Sequence, residues 1–126
     1  MDPIRGPRVL LVEDNEDIRE GLSTLLEAEG YGVIPVGTAE EGLAQLQRQH
    51  VHLLITDYML PGESGGWLVE QAMKEGCVRQ TRVVMITAHP RVVPPSGVRM
   101  LHKPLDINEF LGIVEEELAA LAQHAA

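Results

Sequence analysis

Five short apolar runs, each stopped by a charged, turn-forming or hydroxyl residue, set the tightest limit on how this chain of 126 residues can fold. Arg8 to Val12 reads RVLLV and shows no alternation of apolar and polar positions, as expected of a strand covered on both faces. Tyr31 to Val36, His52 to Thr56, Arg82 to Thr87 and Val98 to His102 are further runs of five or six residues. Between them the period changes to that of a helix. Ile18, Leu22, Leu25 and Leu26 form one stripe after Asn15, and Gly30 closes it. Thr38 with Glu41 is a capping box opening a helix through about Gln49. Pro61, Gly62, Ser64, Gly65 and Gly66 mark a loop before a helix from about Trp67 to Glu75. Asp106 and Glu109 cap a last helix whose stripe is Ile107, Phe110, Leu111, Val114, Leu118 and Leu121.

Strands alternating with helices imply parallel pairing, right-handed crossovers and helices on both faces. The predicted fold is α/β: a doubly wound, five-stranded parallel sheet of order 2-1-3-4-5, flavodoxin-like, forming one domain over 1–126 with its core at about 7–122. Pro90, Pro94, Pro95 and Gly97 interrupt the segment Ala88 to Gly97, so any fourth helix there is shortened or irregular. At 44% hydrophobic and 23% charged residues the chain is too apolar to remain disordered. Ten Lys and Arg against 19 Asp and Glu leave a net charge of -9, which disfavours direct nucleic-acid or membrane binding. Cys77 is the one cysteine, which excludes an internal disulfide and fits a reducing cytoplasm. No apolar run approaches the roughly 20 residues of a membrane span.

Sites in open α/β sheets lie beyond the carboxyl ends of the strands. Glu13 and Asp14 follow the first strand, Asp57 the third, Thr87 ends the fourth, and Lys103 follows the fifth. With the first and third strands adjacent, three carboxylates converge. At about 4 Å each like pair costs about 1 kcal/mol in water and about 4 at an effective dielectric of about 20. Such a cluster calls for a cation, and an all-oxygen donor set suits Mg²⁺. Mg²⁺ and Lys103 beside Asp57 would favour phosphoryl transfer onto that carboxylate, and the Thr87 hydroxyl could then bond a phosphoryl oxygen and draw its loop inward.

LLVEDN at Leu10 to Asn15, LLITDYMLPGESG at Leu53 to Gly65, VVMITA at Val83 to Ala88 and HKPL at His102 to Leu105 stand in the order of four family signatures. On them the chain resembles the CheY-like receiver domain of bacterial two-component response regulators along almost its whole length. The resemblance implies that Asp57 accepts a phosphoryl group from a histidine kinase or histidine phosphotransfer protein. It implies that Asp14, Asp57 and the Met59 backbone carbonyl ligate Mg²⁺, with Glu13 acting mainly through a metal-bound water. Lys103 would contact the phosphoryl group, and Thr87 would be the switch hydroxyl. The chain departs from the family in two places. Met100 stands where an aromatic is usual, three residues before the lysine, and the stretch from Thr87 to Lys103 is short. No Lys or Arg follows Lys103, so a charge-paired dimer is not expected.

The function implied is a phosphorylation-controlled signalling module, not an enzyme beyond its own phosphorylation and dephosphorylation. It ends after its last helix without an effector domain, and its output is binding to an unidentified downstream protein. The alternative is an Mg²⁺-dependent phosphohydrolase with an aspartyl-phosphate intermediate, which would need a second acid where Met59 stands. A flavodoxin-like cofactor carrier would need a phosphate-cradling loop after the first strand, where acids stand instead. His50 and His52 have metal-like spacing but no third ligand in view and read as structural. His89 sits where the family tunes water access to the phosphoryl group, or is a plain loop histidine. Trp67 packs, and Cys77 fills space.

Overall fold

The computed structural model describes residues 6–124. Its elements run β1 (Arg8–Val12), α1 (Glu16–Ala28), β2 (Gly32–Val36), α2 (Ala39–Arg48), β3 (Leu53–Asp57), α3 (Gly65–Lys74), β4 (Arg82–Thr87), β5 (Val98–His102) and α4 (Ile107–His124). The five strands are parallel in the order β2-β1-β3-β4-β5, as predicted.

Successive side chains on a strand point to opposite faces, so each unbroken apolar run feeds two cores. Leu10, Val12, Leu54, Val83 and Met85 pack with Ala39 and Leu46 of α2 and Leu68, Val69 and Ala72 of α3. Val9, Leu11, Leu53, Ile55, Val84 and Ile86 pack with Leu22 and Leu26 of α1 and Phe110, Ile113 and Val114 of α4. Phe110 is fully buried, and truncating it to alanine would cost about 3–5 kcal/mol.

Each helix starts where a short polar side chain satisfies a free backbone donor. Asn15 Oδ1 accepts from Ile18 N–H at 2.9 Å, Thr38 Oγ1 from Glu41 N–H at 3.1 Å and Asp106 Oδ1 from Glu109 N–H at 2.9 Å. Several boundaries differ from the sequence reading. β2 begins at Gly32, after Tyr31, and β3 is shifted one residue on, so that it contains Asp57. Ser64 Oγ accepts from Trp67 N–H at 3.0 Å, which starts α3 at Gly65, two residues before the predicted Trp67, and α3 ends at Lys74. Ile18, placed on the buried stripe of α1, is 41% exposed, and Ile107 of α4 is 44% exposed; each lies in its helix's first turn.

No helix separates β4 from β5 among the described residues, so the predicted shortening of the fourth helix is complete. The connection is held by small local bonds. His89 N–H donates to Thr87 Oγ1 at 2.9 Å, Arg91 N–H to His89 Nδ1 at 3.1 Å and Val98 N–H to the Pro95 carbonyl at 3.1 Å. Val92 and Met100 rest against the α2–α3 core, while Val93 faces solvent. Among the described residues no helix is long and apolar enough to cross a membrane.

Candidate functional site

Strand register brings the predicted residues together. Val12 pairs with Thr56, so Glu13, the next residue on, comes level with Asp57. Asp57 pairs in turn with Ile86 and Thr87 with His102, which places Lys103 one step past the end of the sheet. Lys103 N–H donates to the Thr87 carbonyl at 2.9 Å, and its peptide bond to Pro104 is cis.

Carboxylate oxygens of Glu13, Asp14 and Asp57 lie within 4.8 Å of one another. Glu13 and Asp57 are buried, whereas Asp14 faces solvent. The Lys103 ammonium donates to Asp57 Oδ2 at 2.8 Å and stands 3.9 Å from Glu13 Oε1. One lysine thus faces three carboxylates. Burial pushes the Glu13 carboxyl above its usual range, and the Asp57 charge adds to that; the Asn15 N–H on Glu13 Oε2, at 3.0 Å, and Lys103 oppose it. For Lys103 burial works downward, but the hydrogen bond to Asp57 and the charges of Asp57, Glu13 and Asp14 outweigh it and raise the ammonium's pKa. The surplus of negative charge contributes to both shifts, although burial is the larger cause at Glu13. Hard carboxylate oxygens at this spacing fit a hard divalent cation of the Mg²⁺ class.

The remaining predicted residues are placed as follows. Thr87 is fully buried, and its hydroxyl accepts the His89 N–H; no hydrogen bond joins it to Asp57. The Met59 side chain is largely exposed, on the loop that follows Asp57. His50 and His52 lie at the opposite end of the strands, their rings edge to face with centroids 5.1 Å apart. His50 Nε2 meets the Gln80 carbonyl at 3.0 Å, and His52 Nδ1 accepts the Arg8 N–H at 2.9 Å, so both serve the fold. They border a cleft of about 540 Å³ with Pro7, Arg79 and Leu118, far from the acids. Trp67 and Cys77 pack against the α2–α3 core.

Two residues have parts in this site that the sequence reading did not assign to them. Gly65 opens α3 directly over the end of β3; a Cβ there would fall 2.1 Å from the Asp57 carbonyl oxygen, so only glycine permits the approach. Its N–H donates to the Tyr58 carbonyl at 2.9 Å, which holds the loop after Asp57. A glycine directly after a helix-capping serine was the available signal. Arg19 of α1 donates through Nη1 to the Glu13 carbonyl at 2.8 Å. Nothing in its apolar-stripe context marks it.

A sequence profile described as response regulator receiver domain matches residues 9–115, spanning both acid-ended strands, Thr87 and Lys103. The chain belongs to this family. It is therefore a receiver domain of the two-component response regulator kind, a family of phosphoacceptor switches that generally bind Mg²⁺ at an acidic pocket. The receiver is similar to the phosphate regulon transcriptional regulatory protein PhoB of Escherichia coli K12, 35% identical over 81 residues that cover 64% of this chain and 35% of PhoB. It is also similar to the transcriptional regulatory protein HprR of the same organism, 33% identical over 125 residues, 94% of this chain and 53% of HprR. The chain thus spans between a third and just over half of the length of these curated relatives. Among solved structures, the receiver domain from the hybrid histidine kinase CckA superposes with a TM-score of 0.78 at 32% identity, covering 88% of this chain and 98% of that one. A CheY-like receiver domain protein from Methanospirillum hungatei JF-1 gives 0.85 at 26% identity, over 95% and 99% of the two chains.

Proposed function

We propose that this receiver takes a phosphoryl group on Asp57 from a histidine kinase or histidine phosphotransfer protein and thereby switches its affinity for a downstream protein. The observation that carries the reading is the Lys103 ammonium 2.8 Å from Asp57 Oδ2 inside a three-carboxylate cluster. Glu13, Asp14, Asp57 and the Met59 carbonyl would hold Mg²⁺, Glu13 mainly through a water. The ion, when bound, neutralises charge on the phosphoryl oxygens and lets an anionic donor approach the acids.

A carboxylate oxygen of Asp57 forms the new bond to phosphorus as the phosphorus–nitrogen bond of the phosphohistidine breaks, its electron pair remaining on the imidazole. Lys103 then exchanges its carboxylate partner for a phosphoryl oxygen, which keeps a positive charge beside the transferred group. Thr87 donates its hydroxyl proton to another phosphoryl oxygen. Because that hydroxyl already holds the His89 N–H, its movement drags the β4–β5 connection along. Met100 fills space where the family's aromatic would report the switch, so the signal leaves through the displaced connection. The chain acts as one receiver unit with its core at about 7–122, in the cytoplasm, without direct contact to nucleic acid or membrane, and catalyses at most its own phosphorylation and dephosphorylation.

The test is incubation with acetyl phosphate and Mg²⁺, read by intact mass. One phosphoryl group is expected on the protein and none on Asp57→Asn; undiminished incorporation into Asp57→Asn would overturn the assignment.

A further inference from the structure

We infer that Arg19 is a positioning residue for the metal-binding loop, fixing the backbone from which Glu13 and Asp14 project. The inference rests on the Mg²⁺ reading of the acid cluster above. Helical side chains lean toward the N-terminus of their helix, so a long residue early in α1 reaches back over the loop that precedes it. Arg19 is anchored there by its own N–H, which donates to the Asn15 carbonyl at 2.9 Å. Its guanidinium Nη1 donates to the Glu13 carbonyl at 2.8 Å and approaches the Asp14 carbonyl at 3.5 Å.

The choice of partners is informative. Glu13, Asp14, Glu16, Asp17 and Glu20 all lie near it in sequence, yet among the described residues the guanidinium makes no ion pair with any carboxylate. It binds the main chain of the two metal-loop acids instead. The opposite side of Glu13 is also held, since its N–H donates to the Val36 carbonyl at 3.1 Å. Glu13 Oε2 in turn takes the Asn15 N–H. Asp14 is exposed, and the peptide plane that Arg19 holds at the Glu13 carbonyl sets the backbone from which its carboxylate projects.

The neighbouring turn is shaped around the guanidinium. A Cβ on Gly37, just past β2, would come within 3.2 Å of Nη1, closer than ordinary contact. Gly37 is not among the glycines with positive φ, so its missing side chain provides room here and no special backbone conformation. The guanidinium thus sits between the β1–α1 loop and the β2–α2 turn, with its side-chain hydrogen bonds among the described residues going to the Glu13 and Asp14 carbonyls.

Partners that orient ligands without touching the metal typically change affinity by about 10–100-fold when removed. Mg²⁺ binding to the unphosphorylated protein is measured by calorimetry, and the Mg²⁺ dependence of labelling by acetyl phosphate is measured in parallel. Arg19→Ala is expected to weaken Mg²⁺ binding by about tenfold and to raise the half-saturating Mg²⁺ for labelling by the same factor, with the rate at saturating Mg²⁺ preserved. Arg19→Lys, which can still donate to a carbonyl, recovers part of the loss. Gly37→Ala shifts binding the same way by less, and it carries the test if Arg19→Ala does not fold. Unchanged Mg²⁺ affinity in the folded variants, or a fall only in the saturated rate, overturns the positioning role. Wild-type protein that binds no Mg²⁺ sinks the metal reading itself, an outcome distinct from wild-type and variant binding equally.

Discussion

Two charged clusters occupy this small domain, and they are built on opposite principles. Where α4 lies on β4 and β5, buried Glu117 meets Arg82 at 3.0 Å and Arg99 at 3.4 Å, and Arg99 also reaches Glu116 at 3.1 Å. Two acids face two cations, and each arginine keeps part of its surface in water. At the carboxyl end of the sheet three acids face one lysine. The first cluster is complete as it stands and joins helix to sheet. The second retains excess negative charge in a largely buried place, a cost that folding alone would not select. A balanced cluster is architecture; an unbalanced one awaits a ligand.

The contrast can be broken in graded steps. Mg²⁺ should stabilise the wild type by about 2.7 kcal/mol at one hundred times its dissociation constant, because it binds the folded acids and not the unfolded chain. Asp14→Asn should lose most of that gain, and equal Mg²⁺ stabilisation of both proteins in thermal melts would erase the distinction. Glu117→Ala should cost about 2 kcal/mol in urea unfolding, below the usual figure for a broken buried pair because both arginines reach solvent. It should leave labelling of Asp57 untouched, and a loss of labelling would mean that the two clusters are coupled.

The smallest effects concern pH. Glu13 has a folded pKa above its ordinary 4.5, so the folded protein holds more protons than the unfolded chain as pH rises from there. Its contribution to stability is full below 4.5 and is lost as pH climbs through the higher folded value. At the other end of the strands, burial lowers the His52 pKa from 6.5, with His50 and Arg8 adding to the effect. That contribution is present above 6.5 and is lost as pH falls through the lower folded value. In chelator, Glu13→Gln should remove the first trend and His52→Gln the second in urea unfolding followed across both windows. A stability profile that neither substitution alters would contradict both assignments.

Residues that repeat a period or end a strand were legible before any coordinates. All five strands needed at most a one-residue shift, and Arg8–Val12, Arg82–Thr87 and Val98–His102 needed none. The strand ends located all five polar side chains at the carboxyl end of the sheet because parallel pairing of neighbouring strands leaves their ends little freedom. Glu117 was invisible, since an acid on an amphipathic helix reads as solvent-facing until Arg82 and Arg99 are seen opposite it. Arg19 was missed for a related reason: it binds backbone carbonyls, and those leave no mark on residue type. The early start of α3 was masked by the low helix propensity of Gly65 and Gly66, which at Gly65 is outweighed by the need to clear the Asp57 carbonyl.

The central claim is that the unbalanced cluster carries an acyl phosphate on a single side chain. Borohydride reduces an acyl phosphate to an alcohol and leaves free carboxylates unchanged, so protein treated with acetyl phosphate and Mg²⁺, then reduced and digested, reports its own modified position. Homoserine at position 57 and at no other acid is the predicted result. Homoserine at Asp14, 5-hydroxynorvaline at Glu13, or no reduced acid at all, would contradict it.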